Sequence, residues 1–213
     1  MSTGQVGGRS GPSRTRNPRG EGQRLRQEIL DAAGRLLEEG GHPEEMSLRA
    51  IAREAGITSA AVYRQFEDKA ELMWTLLDDV YETLAEELNE ARRSAPADDA
   101  WAGLWGTVDT YCRFAAAAPR RYELLFRVGP TLAPRDESGS HPTNKVLEAW
   151  RRAVAPCLDE TAADQLTVDE ATKLLWTGLH GQFGLWHNAP YAIDRSELTA
   201  MRDALLFAIF RRR

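Results

Sequence analysis

The sequence predicts an all-α fold: a three-helix N-terminal bundle joined by one long helix to a larger helical domain. Apolar residues recur at helical spacing from Arg24 almost to the C-terminus, and no run alternates apolar and polar residues as a strand would. Capping residues and glycines punctuate the pattern where helices should start and stop.

Residues 1–22 are rich in Gly, Ser, Pro and Arg without apolar periodicity, the composition of a disordered arm. Leu25, Ile29, Ala33, Leu36 and Leu37 then share one face of a first helix, which stops at Gly40-Gly41 with Pro43 just beyond. Ser47 is placed to cap a short second helix with Leu48, Ile51, Ala52 and Ala55 inward, and Gly56 supplies the left-handed turn that ends it. Thr58 caps a third helix, Ser59 to Phe66, which buries Val62 and Phe66. Asp68 and Glu71 form a capping box for a fourth helix of about 25 residues with Leu72, Met73, Leu76, Leu77, Val80, Leu84 and Leu88 on its apolar face. That helix outruns the bundle it starts from and should bridge the two parts.

After a loop at 95–98, Trp101, Trp105, Val108, Tyr111 and Cys112 share a helical face. Pro119 breaks the chain before a segment from Tyr122 to Val128, and Pro130 to Pro142 reads as a long mobile loop. A helix from Thr143 ends near Pro156. The pairs Thr167/Glu170 and Asp194/Glu197 are two more capping boxes, opening one helix to about His187 and a last one to the C-terminus. The expected divisions are an arm at 1–22, a bundle at 23–70 and a larger domain at 71–213.

With 42% apolar residues the chain can bury a genuine core. No stretch approaches the roughly 18 apolar residues of a membrane span and the N-terminus lacks a signal-peptide core, which points to the cytoplasm. Cys112 and Cys157 form no C-x-x-C pair and no Cys/His cluster, so neither a disulfide framework nor a structural zinc is indicated, and no metal or cofactor is expected. His180 and His187, seven apart, lack the closer spacing that metal ligands usually show. The net charge of -5 conceals an asymmetry: residues 1–69 hold 11 Lys and Arg against 10 Asp and Glu, whereas the remainder holds 16 against 22. Within the first 26 residues six arginines face only Glu21, a weak nucleic-acid signal.

The segments 47–55 and 58–66, joined by a glycine turn, have the spacing of a helix-turn-helix. A short helix held steeply across another can enter the roughly 12 Å major groove, and small residues at its start, here Thr58, Ser59 and Ala60, let the backbone approach base edges. Similar αα-corners occur in proteins that never touch DNA, so spacing alone leaves both readings open. The residues are more specific. The run Ile51-Ala-Arg-Glu-Ala-Gly-Ile-Thr-Ser-Ala-Ala-Val-Tyr63-Arg-Gln-Phe66-Glu-Asp-Lys69-Ala-Glu-Leu72 resembles the DNA-binding signature of the TetR family of transcriptional regulators, with its Ala-Gly turn, its Tyr-x-x-Phe ending and its Lys before the long helix. The resemblance covers Arg24 to about Leu77. It implies phosphate contacts from Ser47, Tyr63 and Lys69 and base contacts from Arg49, Thr58, Ser59 and Ala60, with Arg64 placed between a phosphate contact and simple solvation. Plain structural roles compete, Ser47 as a cap and Tyr63 as a packing residue. Lys69 at a helix start opposes the dipole there, a local cost that favours a phosphate partner. The arm's arginines could enter an adjacent minor groove, against the plainer reading of a solvated tail.

A second resemblance lies further on. Tyr111-Cys-Arg-Phe114, Pro119-Arg-Arg-Tyr122-Glu-Leu-Leu-Phe126 and Trp176-Thr-Gly-Leu-His180-Gly181 are similar to the WHG class of TetR C-terminal domains, which implies an effector pocket and a dimer interface. Trp101, Trp105, Tyr111, Phe114, Tyr122, Phe126, Trp176 and Phe183 are the aromatic set expected of an apolar pocket between helices; the set suits a core equally, and for each taken singly core packing is the better reading, because aromatic stripes at helical spacing usually pack. His180, flanked by Gly178 and Gly181, is either a polar handle in that pocket or a core histidine bonded to backbone. The expected protein is a ligand-responsive, DNA-binding transcriptional regulator: a homodimeric repressor on a palindromic operator, released by a small apolar effector with the fourth helix as lever. The alternative is a small-molecule-binding protein or enzyme whose N-terminal helices are only structural. No nucleophile beside a His base, no carboxylate pair and no phosphate-cradling glycine loop supports it.

Overall fold

The computed structural model describes residues 21–39, 42–129, 141–158, 166–188 and 194–210. Every regular element among the described residues is helical: α1 (Glu21–Glu38), α2 (Leu48–Glu54), α3 (Ser59–Tyr63), α4 (Lys69–Arg93), α5 (Ala100–Ala117), α6 (Pro119–Glu123), α7 (Thr143–Val154), α8 (Val168–Asn188) and α9 (Arg195–Phe210). A π-helical turn, Leu124–Val128, continues α6, and a 3₁₀ turn, Ala155–Cys157, ends α7. The expected arm up to residue 20, the Gly40-Gly41 stop and most of the 130–142 loop lie outside the described residues.

The expected caps form. Ser47 Oγ accepts from the Ala50 N–H at 3.1 Å and Thr58 Oγ1 from Ala61 at 3.2 Å. Gly56 has φ +68, a region where a Cβ would be strained. Asp68 caps Glu71, but the Glu71 carboxylate reaches back to the Glu67 N–H, one residue earlier than a standard box. Reciprocal boxes join Thr167 to Glu170 and Asp194 to Glu197.

Two boundaries depart from the sequence reading. Helix α1 starts at Glu21, three residues before Arg24, and α3 ends at Tyr63 instead of Phe66. The N–H groups of Gln65 and Phe66 both bond to the Val62 carbonyl, a tight turn that swings the Phe66 ring inward before Asp68 caps α4. Arg26, counted with the basic arm, belongs to α1 and is spent inside the bundle. Its guanidinium lies 4.0 Å from the Phe66 ring centroid and bonds to Glu71 and Thr75.

Helices α1, α2 and α3 close over Ile29, Ala33, Leu37, Ile51, Val62 and Phe66, with Leu72 and Met73 of α4 completing that core. Beyond it α4 packs against α5 and α7, and α7 against α8. Tyr81, Tyr111 and Trp150 are the largest side chains fully buried there. Helices α8 and α9 approach so closely that a Cβ on Gly178 would stand 2.6 Å from Leu205 Cδ2. Leu174, Leu185, Met201 and Phe207 of this pair remain exposed. No helix among the described residues is long and apolar enough to cross a membrane.

Candidate nucleic-acid interface and effector cavity

Ser47, Arg49, Thr58, Ala60, Tyr63 and Arg64 are exposed along α2, α3 and the turn between them. Ser59 is half-buried. Tyr63, 58% exposed, does not pack into the bundle, whereas its neighbour Val62 is fully buried. Ser47 and Thr58 are engaged as caps, which pins the start of each helix and leaves their carbon faces at the surface. Lys69 is turned back on the bundle, its Nζ donating to the Glu44 carbonyl at 2.7 Å. A phosphate contact by Lys69 would exchange that bond.

The larger domain holds a cavity of about 740 Å3 lined by Pro119, Arg120, Tyr122, Glu123, Phe126, His180, Gly184, His187 and Asn188, with His42 contributed by the α1–α2 connection. Pro119 starts α6 where a missing N–H costs nothing, and the π-helical turn places Phe126 on the same wall as Tyr122. Tyr81 Oη donates to the Leu125 carbonyl at 3.0 Å, tying that turn to α4. The Tyr122 hydroxyl bonds to His180, both at Nδ1 and at the backbone carbonyl. The His180 ring lies 4.2 Å from that of Phe126, and His187 Nε2 donates to the Ala115 carbonyl at 2.9 Å. Burial depresses the His180 pKa, favouring the neutral imidazole, and raises that of Tyr122, keeping the phenol protonated.

Charge gathers at the mouth. Arg120 pairs with Glu123 at 2.9 Å, and His42 Nδ1 stands 3.4 Å from Glu123 and 3.2 Å from Arg120. Burial would raise the Glu123 carboxyl, but hydrogen bonds from Arg120 and His42 outweigh it and hold the group below the usual range. Arg121 pairs with Glu38 at the end of α1. The seam between the N-terminal bundle and the larger domain therefore runs through the mouth of the cavity.

Of the predicted pocket residues, Tyr122, Phe126 and His180 line this cavity. Trp176 meets Phe126 edge-on at 6.0 Å, and Tyr111 and Phe183 lie buried around Tyr122. Three are elsewhere. Trp101 and Trp105 pack toward α9, Trp101 against Phe210 and Trp105 beneath Arg202. Phe114 faces a groove with Leu30, Leu37 and Leu84 between α1 and α4. Sequence reasoning missed His42, Arg120, Glu123 and His187. The i, i+3 pair in α6 was visible, but the approach of His42, 81 residues from Glu123, has no local signature.

Residues 29–74 match the family described as bacterial regulatory proteins, tetR family, and residues 104–208 match a tetracyclin repressor-like C-terminal domain. Among curated relatives, an HTH-type transcriptional regulator of Mycobacterium tuberculosis is 34% identical over 130 residues, 60% of this chain and 55% of that protein. One from Haemophilus influenzae is 30% identical over 105 residues, 49% of this chain and 50% of that protein. The chain thus spans about half the length of the curated relatives it matches. Among solved structures, a protein of unknown function from Rhodococcus sp. RHA1 superposes with a TM-score of 0.70 at 24% identity, covering 92% of this chain and 100% of that one. SmeT, the repressor of the Stenotrophomonas maltophilia multidrug efflux pump SmeDEF, gives 0.61 at 20% identity, covering 86% of this chain and 89% of its own. These structural likenesses speak for the fold. The two family matches span most of the chain, one over the helix-turn-helix and the other over the domain that holds the cavity, and the chain belongs to the TetR family of bacterial regulatory proteins.

Proposed function

We propose that this protein is a ligand-responsive transcriptional repressor of the cytoplasm, which binds a palindromic operator as a homodimer and leaves it when a small, largely apolar effector enters the cavity between α6 and α8. The observation that carries the reading is that one cavity is lined by both parts of the molecule. His42 comes from the N-terminal bundle, and Arg120, Tyr122, Glu123 and His180 come from the larger domain. An occupant there bears directly on the bundle, and effector and operator then oppose each other through a coupling of typically about 1–3 kcal/mol. This route through α6 and the α1–α2 connection acts beside the long helix α4.

On DNA, Arg49, Thr58, Ser59 and Ala60 would face bases, and Ser47, Tyr63, Arg64 and Lys69 would meet phosphates. The exposed apolar residues of α8 and α9 support a four-helix interface between two copies. SmeT, which shares the fold, forms a complex with triclosan.

Fluorescence anisotropy of the full chain against duplexes tiling the DNA around its own gene tests the reading. The expected result is saturable binding to one tile, about a thousandfold or more tighter than to a shuffled duplex at physiological salt. Equal, weak binding to all tiles and to a wider genomic selection would overturn it. Glu123→Gln tests the coupling. The variant should bind the operator like the parent yet lose most of the effector-induced drop in operator affinity, and an unchanged drop would show that the seam plays no part.

A further inference from the structure

The hydrogen bonds along the cavity wall decide which imidazole nitrogens are left to meet an occupant. The Tyr122 hydroxyl reaches two atoms of one residue, Nδ1 and the backbone carbonyl of His180. A hydroxyl has one proton to give and a carbonyl has none. The arrangement that makes both bonds sends the Tyr122 proton to the carbonyl, at 2.8 Å, and the His180 Nδ1 proton to the Tyr122 oxygen. Burial holds the His180 ring neutral, and a neutral ring protonated at Nδ1 carries a bare lone pair at Nε2. His187 is fixed by the same logic. Its Nε2 stands 2.9 Å from the Ala115 carbonyl and must carry the proton, which leaves Nδ1 as the acceptor of the neutral imidazole. Both residues line the cavity. Asn188 beside them spends an amide N–H on the Gly184 carbonyl at 2.7 Å, and the Glu123 carboxylate accepts without donating. Arg120, the strong donor at the mouth, is turned to Glu123 and His42.

We propose that the effector is an uncharged aromatic molecule that donates through O–H or N–H, a phenol in the simplest case, and that His180 Nε2 receives the donor, with His187 Nδ1 as the second acceptor for a molecule that carries two. This class rests on the ligand-responsive reading above and narrows it. The cavity asks for a donor because its inner polar atoms are lone pairs, and a guest that brings none leaves them desolvated and unpaired. An anion would lay its charge against those lone pairs and the Glu123 carboxylate, and a cation would enter past the Arg120 guanidinium. The aromatic body follows from the walls. The Tyr122 and Phe126 ring centroids are 4.7 Å apart, His180 lies 4.2 Å from Phe126, and His187 lies 5.1 Å from Tyr122, a set of flat faces at the spacing of ring-to-ring contact. The volume of about 740 Å3 suits a drug-sized molecule.

Four naphthalenes that differ at a single substituent test this on the full chain by titration calorimetry: 2-naphthol, 2-methoxynaphthalene, 2-naphthoate and 2-naphthylmethylammonium. The naphthol should bind about tenfold tighter than each of the other three, the worth of one good hydrogen bond. His180→Phe keeps a flat ring beside Phe126 and should bring the naphthol down to the level of its methyl ether while leaving the ether's affinity in place. A long-range proton–nitrogen NMR spectrum of the histidine side chains tests the unaltered protein. It should show His180 protonated at Nδ1 and His187 at Nε2, and the naphthol, unlike its ether, should shift the Nε2 resonance of His180. Equal affinity for naphthol and ether, preference for naphthoate or the ammonium probe, or no binding by any probe overturns the proposal. So does His180 protonated at Nε2, or a naphthol preference that survives in His180→Phe. Operator binding measured alongside separates the two readings. Release of the operator by naphthoate would keep the regulator and discard this ligand class. Selective naphthol binding by a protein that ignores its operator would keep the class and discard the regulator.

Discussion

Phe66→Ala should cost about 3–5 kcal/mol of stability and abolish operator binding at any practical concentration. The ring is 1% exposed, it closes the core shared by α1, α3 and the first turn of α4, and it carries the Arg26 guanidinium on its face. Its loss leaves a cavity in a bundle too small to absorb it and removes the aromatic partner of a half-buried cation. The informative control stands three residues earlier. Tyr63→Ala should change stability by less than about 0.5 kcal/mol, as surface substitutions do, because Tyr63 is 58% exposed. It should nevertheless weaken binding to every duplex alike. Thermal unfolding and anisotropy on both variants separate folding from contact. Unchanged operator affinity in Tyr63→Ala would remove that residue from the interface, and a stable, operator-binding Phe66→Ala would refute the packing account.

The double variant Leu174→Asp/Phe207→Asp should convert the protein to a well-folded monomer with little operator affinity. Leu174 is 48% and Phe207 57% exposed in the single chain, so the protomer loses little. Burying a side chain of this kind is worth about 1.5–3 kcal/mol, and two-fold symmetry applies each change twice while bringing carboxylates to the seam. Sedimentation should report one chain where the parent reports two. Anisotropy should show the loss of affinity expected when two half-sites are no longer held together. Persistence of the dimer would place the interface on another face.

The helical elements were largely legible in the sequence because their signals are local. Ser47, Thr58, Asp68, Thr167 and Asp194 announce helix starts by a hydrogen bond spanning three residues, and Gly56 announces a stop by its backbone alone. The end of α3 was misplaced because Tyr63 and Phe66 satisfy a helical pattern, whereas capping at Asp68 and inward packing of Phe66 favour a turn. The cavity was only half legible. Periodicity groups Trp101, Trp105 and Phe114 with Tyr111 as aromatic and helical, but it cannot say which neighbouring helix each will meet, and α9 and the α1–α4 groove claimed those three. His42 joined the site through tertiary approach alone.

The seam between bundle and larger domain is stitched by ion pairs, Arg120 with Glu123 beside His42 and Arg121 with Glu38, whose side chains are in part open to solvent. Such pairs are weakened by dissolved ions over the same range that loosens protein from phosphate. For the proposed repressor ionic strength is therefore a second input: raising it should lower the grip on DNA and, separately, soften the link by which an occupant of the cavity would be felt at the DNA. A dose–response curve taken in dilute buffer would overstate how sharply the protein responds in the ionic conditions of a cell.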